Sequence, residues 1–218
     1  MSRMQQETFT AYRERYGLTK ALLRIVLKRV NNRFFFAYVT ARDMGGEVSA
    51  PKPGFDIRVA TEAELLMAAN EIPALSSEEI KHALANGDVC LAAFHSDRLV
   101  AFTWRCYNKT RHTPGIWVET QKPFRYGYKA YTLPDYRGQH LLKPQYTDAI
   151  CKSKGYAVAT GFIELHNYAS IRNSRRNGNR TVGFAGYFRI LGKHYTFRTP
   201  GAKKFGFRFV AVDEEIAG

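Results

Sequence analysis

The spacing of apolar positions changes several times along the chain. Phe9, Tyr12 and Tyr16, then Leu22, Leu23, Val26, Leu27 and Val30, recur at three and four residues and predict a helix over 6–33. Lys20, Arg24 and Lys28 form a basic row on it, and Gly17 is where it would break in two. Phe34–Val39 is an unbroken apolar run, the pattern of a short buried strand, and the Gly- and Pro-rich stretch 44–54 reads as a linker. Beyond it a strand is predicted at Phe55–Ala60. Thr61 then caps a helix, with Glu64 in the capping-box position, and Ser76 or Ser77 caps a second helix that ends at Asn86-Gly87. Asp88–His95 and Leu99–Tyr107 read as a hairpin, and Ile116–Glu119 as a further strand. A strand at 127–133, a helix over 139–154 and a strand at 157–165 form a β-α-β unit. Asn167 opens another helix, Thr181–Leu191 and His194–Thr199 a second hairpin, and Phe205–Val212 a last strand. This order predicts an α+β fold: a mixed, mostly antiparallel central sheet with helices on both faces and one parallel crossover. Two regions are expected, a basic helical extension with its linker at 1–54 and the main domain at 55–218.

Composition sharpens this picture. With 218 residues, 45% hydrophobic and 14% aromatic, the chain can bury a core and is not disordered. Lys and Arg number 33 against 19 Asp and Glu, a net charge of +14, which points to anionic partners. The excess is uneven: residues 55–100 are net acidic, and most of the positive charge follows residue 100. Cys90, Cys106 and Cys151 are widely spaced without a CxxC pair, so neither a zinc site nor a disulfide framework is expected. Met1–Thr10 is polar, and no apolar run is long enough to span a bilayer. A cytoplasmic location follows as an expectation.

Two segments carry candidate chemistry. In Leu133-Pro-Asp-Tyr-Arg-Gly-Gln-His-Leu-Leu142 a strand ends, the chain turns, and a helix begins beside Arg137. Backbone N–H groups at such a start suit a diphosphate, although an ordinary turn with a surface arginine has the same pattern. In Asn167-Tyr-Ala-Ser-Ile-Arg-Asn-Ser-Arg-Arg-Asn-Gly178, Asn167 can cap a helix whose arginines would form a solvated basic face or meet an anion.

Taken in order with Asp56-Ile-Arg-Val-Ala-Thr61, Asp88-Val-Cys-Leu-Ala-Ala-Phe94 and Arg98-Leu-Val-Ala-Phe-Thr-Trp104, these segments resemble the GNAT superfamily of acyl-CoA-dependent N-acyltransferases, over about residues 55–199. The resemblance implies acetyl-CoA or another acyl-CoA as co-substrate, no metal, and an amine acceptor. It assigns backbone at Tyr131–Leu133 to the pantetheine arm. Arg137, Gly138, Gln139, His140, Leu141 and Leu142 fall on the phosphate loop, and Asn167 and Ser170 beside the cofactor. His140 and Leu142 replace the small residues of the family pattern, Pro144 follows closely, and Asn179 stands where an aromatic is usual. Ser174 maps to the position of the general-acid tyrosine.

The attacking amine needs a proton acceptor. Glu164 is the first candidate, with His166 and Tyr168 as neighbours, Glu119 as a further carboxylate and Cys106 as an acyl carrier if a base adjoins it. Two other roles compete. Arginines and aromatics alternate between Arg172 and Arg198, a pattern that can stack single-stranded nucleic acid without any catalysis. The basic helix at 6–33 can lie on an anionic membrane surface, near an amino-sugar acceptor of surface-polysaccharide synthesis, and the N-terminal arrangement and the Arg189–Lys193 hairpin resemble family members found there.

Overall fold

A computed structural model describes residues 8–30, 34–45 and 50–212. Residues 6–7 and 31–33 of the predicted helix, 46–49 of the linker, and 213–218 lie outside them. In chain order the elements are α1 (Phe9–Tyr16), α2 (Leu18–Val30), β1 (Phe34–Asp43), β2 (Asp56–Val59), α3 (Glu62–Ala69), α4 (Ser77–Ala85), β3 (Val89–His95), β4 (Arg98–Cys106), β5 (Lys109–Thr113), β6 (Ile116–Glu119), β7 (Phe124–Thr132), α5 (Gln145–Ser153), β8 (Val158–Glu164), α6 (Tyr168–Arg176), β9 (Arg180–Ile190), β10 (Lys193–Arg198), α7 (Pro200–Lys204) and β11 (Arg208–Ala211). Eight strands form one sheet in the order β10-β9-β1-β8-β7-β4-β3-β2, and β11-β6-β5 form a second, smaller one. Every pair in the large sheet is antiparallel except β7 with β8. This is the expected α+β class.

Local signals act where they were read. The side chain of Thr61 accepts from the Glu64 amide while the Glu64 carboxylate accepts from the Thr61 amide, a complete capping box. Gly17, at φ 90°, separates α1 from α2. Asn167 Oδ1 accepts from the Ser170 amide at 3.1 Å and starts α6.

Three readings are corrected. β1 belongs to the segment read as an extension, yet it lies in the large sheet between β8 and β9, with Ala37 opposite both Glu164 and Ala185. A boundary at residue 54 therefore cuts through a continuous sheet. Next, the helix read from 139 begins only at Gln145. Pro144 sits at its N-cap because proline has no N–H to donate inside a helix and disfavours helical backbone in the residue before it. Residues 137–144 are thus an open loop after a single 3-10 turn at Pro134–Tyr136. Lastly, β5 and α7 were not anticipated, and β11 joins the small sheet.

Core packing fixes the two faces of the large sheet. On one face Leu65, Ile72 and Ile80 from the α3–α4 region cover Phe102 and Trp104, and further along the small sheet packs Ile116, Val118 and Phe209 against Phe35, Tyr126 and Tyr187. Each large side chain buried in this way contributes roughly 1.5–3 kcal/mol. On the opposite face Leu141 is buried against Ala93, Val100 and Ala101, which pins the loop before α5 to the sheet. The aromatics of β9 and β10 pack on one another and on β1, as in Phe188–Tyr195 at 5.4 Å and Phe36–Phe184 at 5.3 Å. Helix α2 leaves Leu18, Leu22, Leu23, Ile25 and Val26 exposed. No helix among the described residues is long and apolar enough to cross a membrane.

Candidate active site

The parallel pair β7–β8 is short. Phe124, Arg125 and Tyr126 lie opposite Val158, Ala159 and Thr160, and no pairing follows, although β7 continues to Thr132 and β8 to Glu164. The strands therefore part beyond Tyr126, and each carries a glycine where they separate, Gly127 and Gly161. Between them opens a cleft of about 760 Å³. Its walls come from β7, β8, the loop at 137–144 and α6. A second hollow of about 210 Å³ lies beside it under α6, lined by Tyr38, Ile163, Tyr168 and Ile171, with Ser174 on the boundary of both.

On the other side β7 pairs with β4, with an irregularity. Phe102 faces Tyr131 and Trp104 faces Tyr128, so β7 carries an extra residue opposite Thr103, and Lys129 takes a φ of 48°. Such a bulge leaves backbone groups out of the ladder. The Leu133 amide donates to the Val100 carbonyl at 2.9 Å. The side chains of Tyr131 and Leu133 pack into the core under α3 and α4, while Ala130 and Thr132 line the cleft.

Arg137, Gly138, His140, Leu141 and Leu142 all border the cleft, and Gln139 turns away to accept from Lys52 Nζ at 2.9 Å. Gly138 (φ 79°) and His140 (φ 55°) are both left-handed. The loop is open despite its bulky residues. A Cβ added at Gly138 would meet nothing within 4 Å, the His140 ring is exposed, and both leucines pack toward the core. The main chain is therefore uncovered at Gly138.

The remaining sequence candidates spread out. Ser170 and Ser174 line the cleft, whereas Asn167 serves as the α6 cap. Tyr168 packs against Tyr16 (5.6 Å) and Tyr12 (6.5 Å), with Lys20 Nζ 4.9 Å above its ring. Glu164 is not among the cleft-lining residues. Phe162, two residues earlier, borders the cleft and packs under the small sheet, and strand alternation puts Glu164 on that same face of β8, beyond the cleft lining. There it meets His166 Nε2 at 3.0 Å, and its charge adds to the burial that raises the Tyr187 phenol to about 12. The Tyr187 hydroxyl lies 3.3 Å from His112 Nε2, and burial lowers His112 to about 4, leaving it neutral at pH 7. Glu119 is engaged with Arg208. Burial pushes the Cys106 thiol up to about 12, so it is no thiolate near neutrality and no ready acyl carrier.

Reading the sequence missed the floor of the cleft. Arg42 from β1, Arg105 from β4 and Arg125 from β7 meet there, exposed by only 7%, 6% and 3%. Asp148 of α5, 5% exposed, pairs with Arg42 at 2.8 Å and lies 3.7 Å from Arg125. Arg105 donates to Thr103 Oγ1 at 2.7 Å and to the Trp104 carbonyl at 3.0 Å. A charged residue inside an apolar strand run, as in Thr103-Trp-Arg-Cys106, was the available signal.

No known family profile matches the chain, and no curated protein matches it. Solved structures do share its fold. A Drosophila protein superposes with a TM-score of 0.51 at 14% identity, over 78% of this chain and 57% of its own. A GNAT-family acetyltransferase from Novosphingobium aromaticivorans is similar at TM-score 0.44 and 19% identity, over 68% of this chain and 60% of that one. A GCN5-related N-acetyltransferase from Kribbella flavida is similar at TM-score 0.47 and 16% identity, over 85% and 65%. The chain thus spans 57% to 65% of the length of these three proteins. The likeness is one of fold.

Proposed function

We propose that the chain is an acyl-CoA-dependent N-acyltransferase. The observation that carries the reading is the parting of β7 and β8 beyond Tyr126, beside an open loop of main-chain amides. In this reading the amides of 137–142 hold the diphosphate, with Arg137 beside them. The pantetheine arm runs down the free edge of β7, along Ala130 and Thr132, because the Leu133 amide is already given to Val100. The thioester then sits beside the bulge at Lys129, where backbone that departs from the β4 ladder is the candidate donor to negative charge on the carbonyl oxygen.

The amine approaches along the face of β8 that carries Phe162 and Glu164, with His166 3.0 Å from the carboxylate. Its nitrogen forms a bond to the thioester carbon as the carbon–sulfur bond breaks. The proton shed by nitrogen passes to Glu164, and the departing thiolate takes up a proton to leave as free thiol. Ser174, which the resemblance maps to the general acid, borders the cleft and in this reading donates that proton. The acceptor class that the resemblance implies is an amino sugar. The exposed apolar residues of α2 beside Lys20 and Arg24 support placement of the enzyme on an anionic membrane surface.

Calorimetric titration with acetyl-CoA, paired with thermal unfolding, tests the central reading. Binding should appear as heat, and ligand at a hundredfold excess over its Kd should add about 2.7 kcal/mol of stability. Absence of both at millimolar ligand removes the acyltransferase reading. If instead single-stranded nucleic acid binds with an affinity that falls steeply as salt rises, the non-catalytic alternative takes its place.

A further inference from the structure

The floor of the cleft holds more positive charge than its own fold requires. Three guanidiniums from three different strands gather beside one carboxylate, which reaches Arg42 at 2.8 Å and Arg125 at 3.7 Å, and all four groups are more than nine-tenths buried. Arg42 Nε and Arg125 Nε have no hydrogen-bond partner, and neither does Asp148 Oδ2. Buried arginine nitrogens rarely go unpaired, because each forfeits its hydration without return. Burial, followed by the charge of Arg125, pushes Arg105 down to about 9, still protonated at pH 7, so the cluster remains cationic. Seven lysines and arginines, and no aspartate or glutamate, are among the described residues that line the whole cleft.

The position of the cluster says what kind of anion would reach it. A Cβ built on Gly127 would lie 3.1 Å from Arg125 Nη1 and 3.3 Å from Arg105 Nη1, so the guanidinium tips press against β7 where it leaves β8. The phosphate loop lies at the other end of the same strand, beyond Leu133. An extended pantetheine arm matches about five residues of extended chain, roughly 17 Å. Measured back from Leu133, that length ends near Tyr128 and leaves the acyl group at Gly127.

We infer that the arginine floor binds a carboxylate carried by the acyl group itself, so that the preferred donor is the CoA monothioester of a dicarboxylic acid. Arg105 and Arg125 act as specificity-determining residues, their planar forks matched to a carboxylate. The inference rests on the acyltransferase reading and deepens it.

The test is a titration of the full chain and of its Arg105→Gln variant with acetyl-CoA, succinyl-CoA, glutaryl-CoA and inorganic diphosphate. Succinyl- or glutaryl-CoA should bind roughly 10- to 100-fold more tightly than acetyl-CoA, the range for hydrogen bonds to a charged group. Arg105→Gln should erase that preference, weakening succinyl- and glutaryl-CoA far more than acetyl-CoA. If all CoA thioesters bind alike and the variant weakens them and diphosphate together, the floor reads phosphate; the inference is overturned and the acyltransferase reading stands. If no CoA compound binds, both fall. Should Arg105→Gln fail to fold, Arg105→Lys keeps the charge without the fork, and an undiminished carboxylate preference in that variant would also overturn the assignment.

Discussion

Helix α6 and the floor of the cleft each carry three arginines, yet the two sets are opposite in their physics. Arg172, Arg175 and Arg176 follow one another on a helix and are exposed. Water and salt screen them, so each adds little to stability. Arg42, Arg105 and Arg125 are far apart in the chain, and three strands bring them together out of water. There the charge is desolvated, and whatever balances it matters. Density of charge along a sequence therefore says little about where charge acts. Burial decides it.

Asp148→Asn puts the strongest strain on this contrast. It removes the carboxylate from the buried set and should cost about 3–5 kcal/mol, read as a shift of the urea midpoint. A loss below 1 kcal/mol would mean that the cluster is far wetter than its exposure indicates.

Burial of a neutral group gives the next effect. His112 titrates near 4 in the folded chain against 6.5 when unfolded, so between these values the unfolded state binds the extra proton. Stability should be full above pH 6.5 and fall by up to about 3 kcal/mol as pH drops toward 4. Comparing denaturation of the parent with His112→Gln isolates this part of the slope. An unchanged slope in the variant would assign the acid sensitivity elsewhere.

A smaller gain is expected from His140→Gly. The left-handed backbone at φ 55° costs a side-chain-bearing residue more than it costs glycine, and the substitution should stabilise the chain by about 0.5–1 kcal/mol. A loss of stability on thermal unfolding would show that the imidazole makes a contact worth more than the backbone strain. Smallest of all, Arg175→Ala should stay within about 0.5 kcal/mol of the parent in the same assay. An effect the size of the Asp148 change would erase the distinction between the two sets of arginines.

Much of the architecture was legible because its signals are local. The Thr61–Glu64 capping box, the Asn167 cap, the break at Gly17 and the hairpin at Ser96-Asp97 each depend on a few adjacent residues. The helix start at 139 was misplaced because the turn at Arg137-Gly138 looks like a cap, and the conformational veto of Pro144 acts over the intervening residues. β1 was assigned to an appendage because the linker after it is real in composition. Strand pairing with β8 and β9 spans well over a hundred positions and leaves no mark in either neighbourhood.

The chain by itself determined where helices and strands begin, which faces are apolar, and the ordered motifs that resemble GNAT enzymes, since these follow from backbone preferences and periodicity within a few residues. Only the tertiary structure decided that β7 and β8 separate after three residue pairs, that Glu164 pairs with His166 outside the cleft lining, and that Arg42, Arg105 and Arg125 share one buried floor. Those outcomes depend on pairing register and on the desolvation of charges brought together from distant strands. Both arise only when separated segments meet.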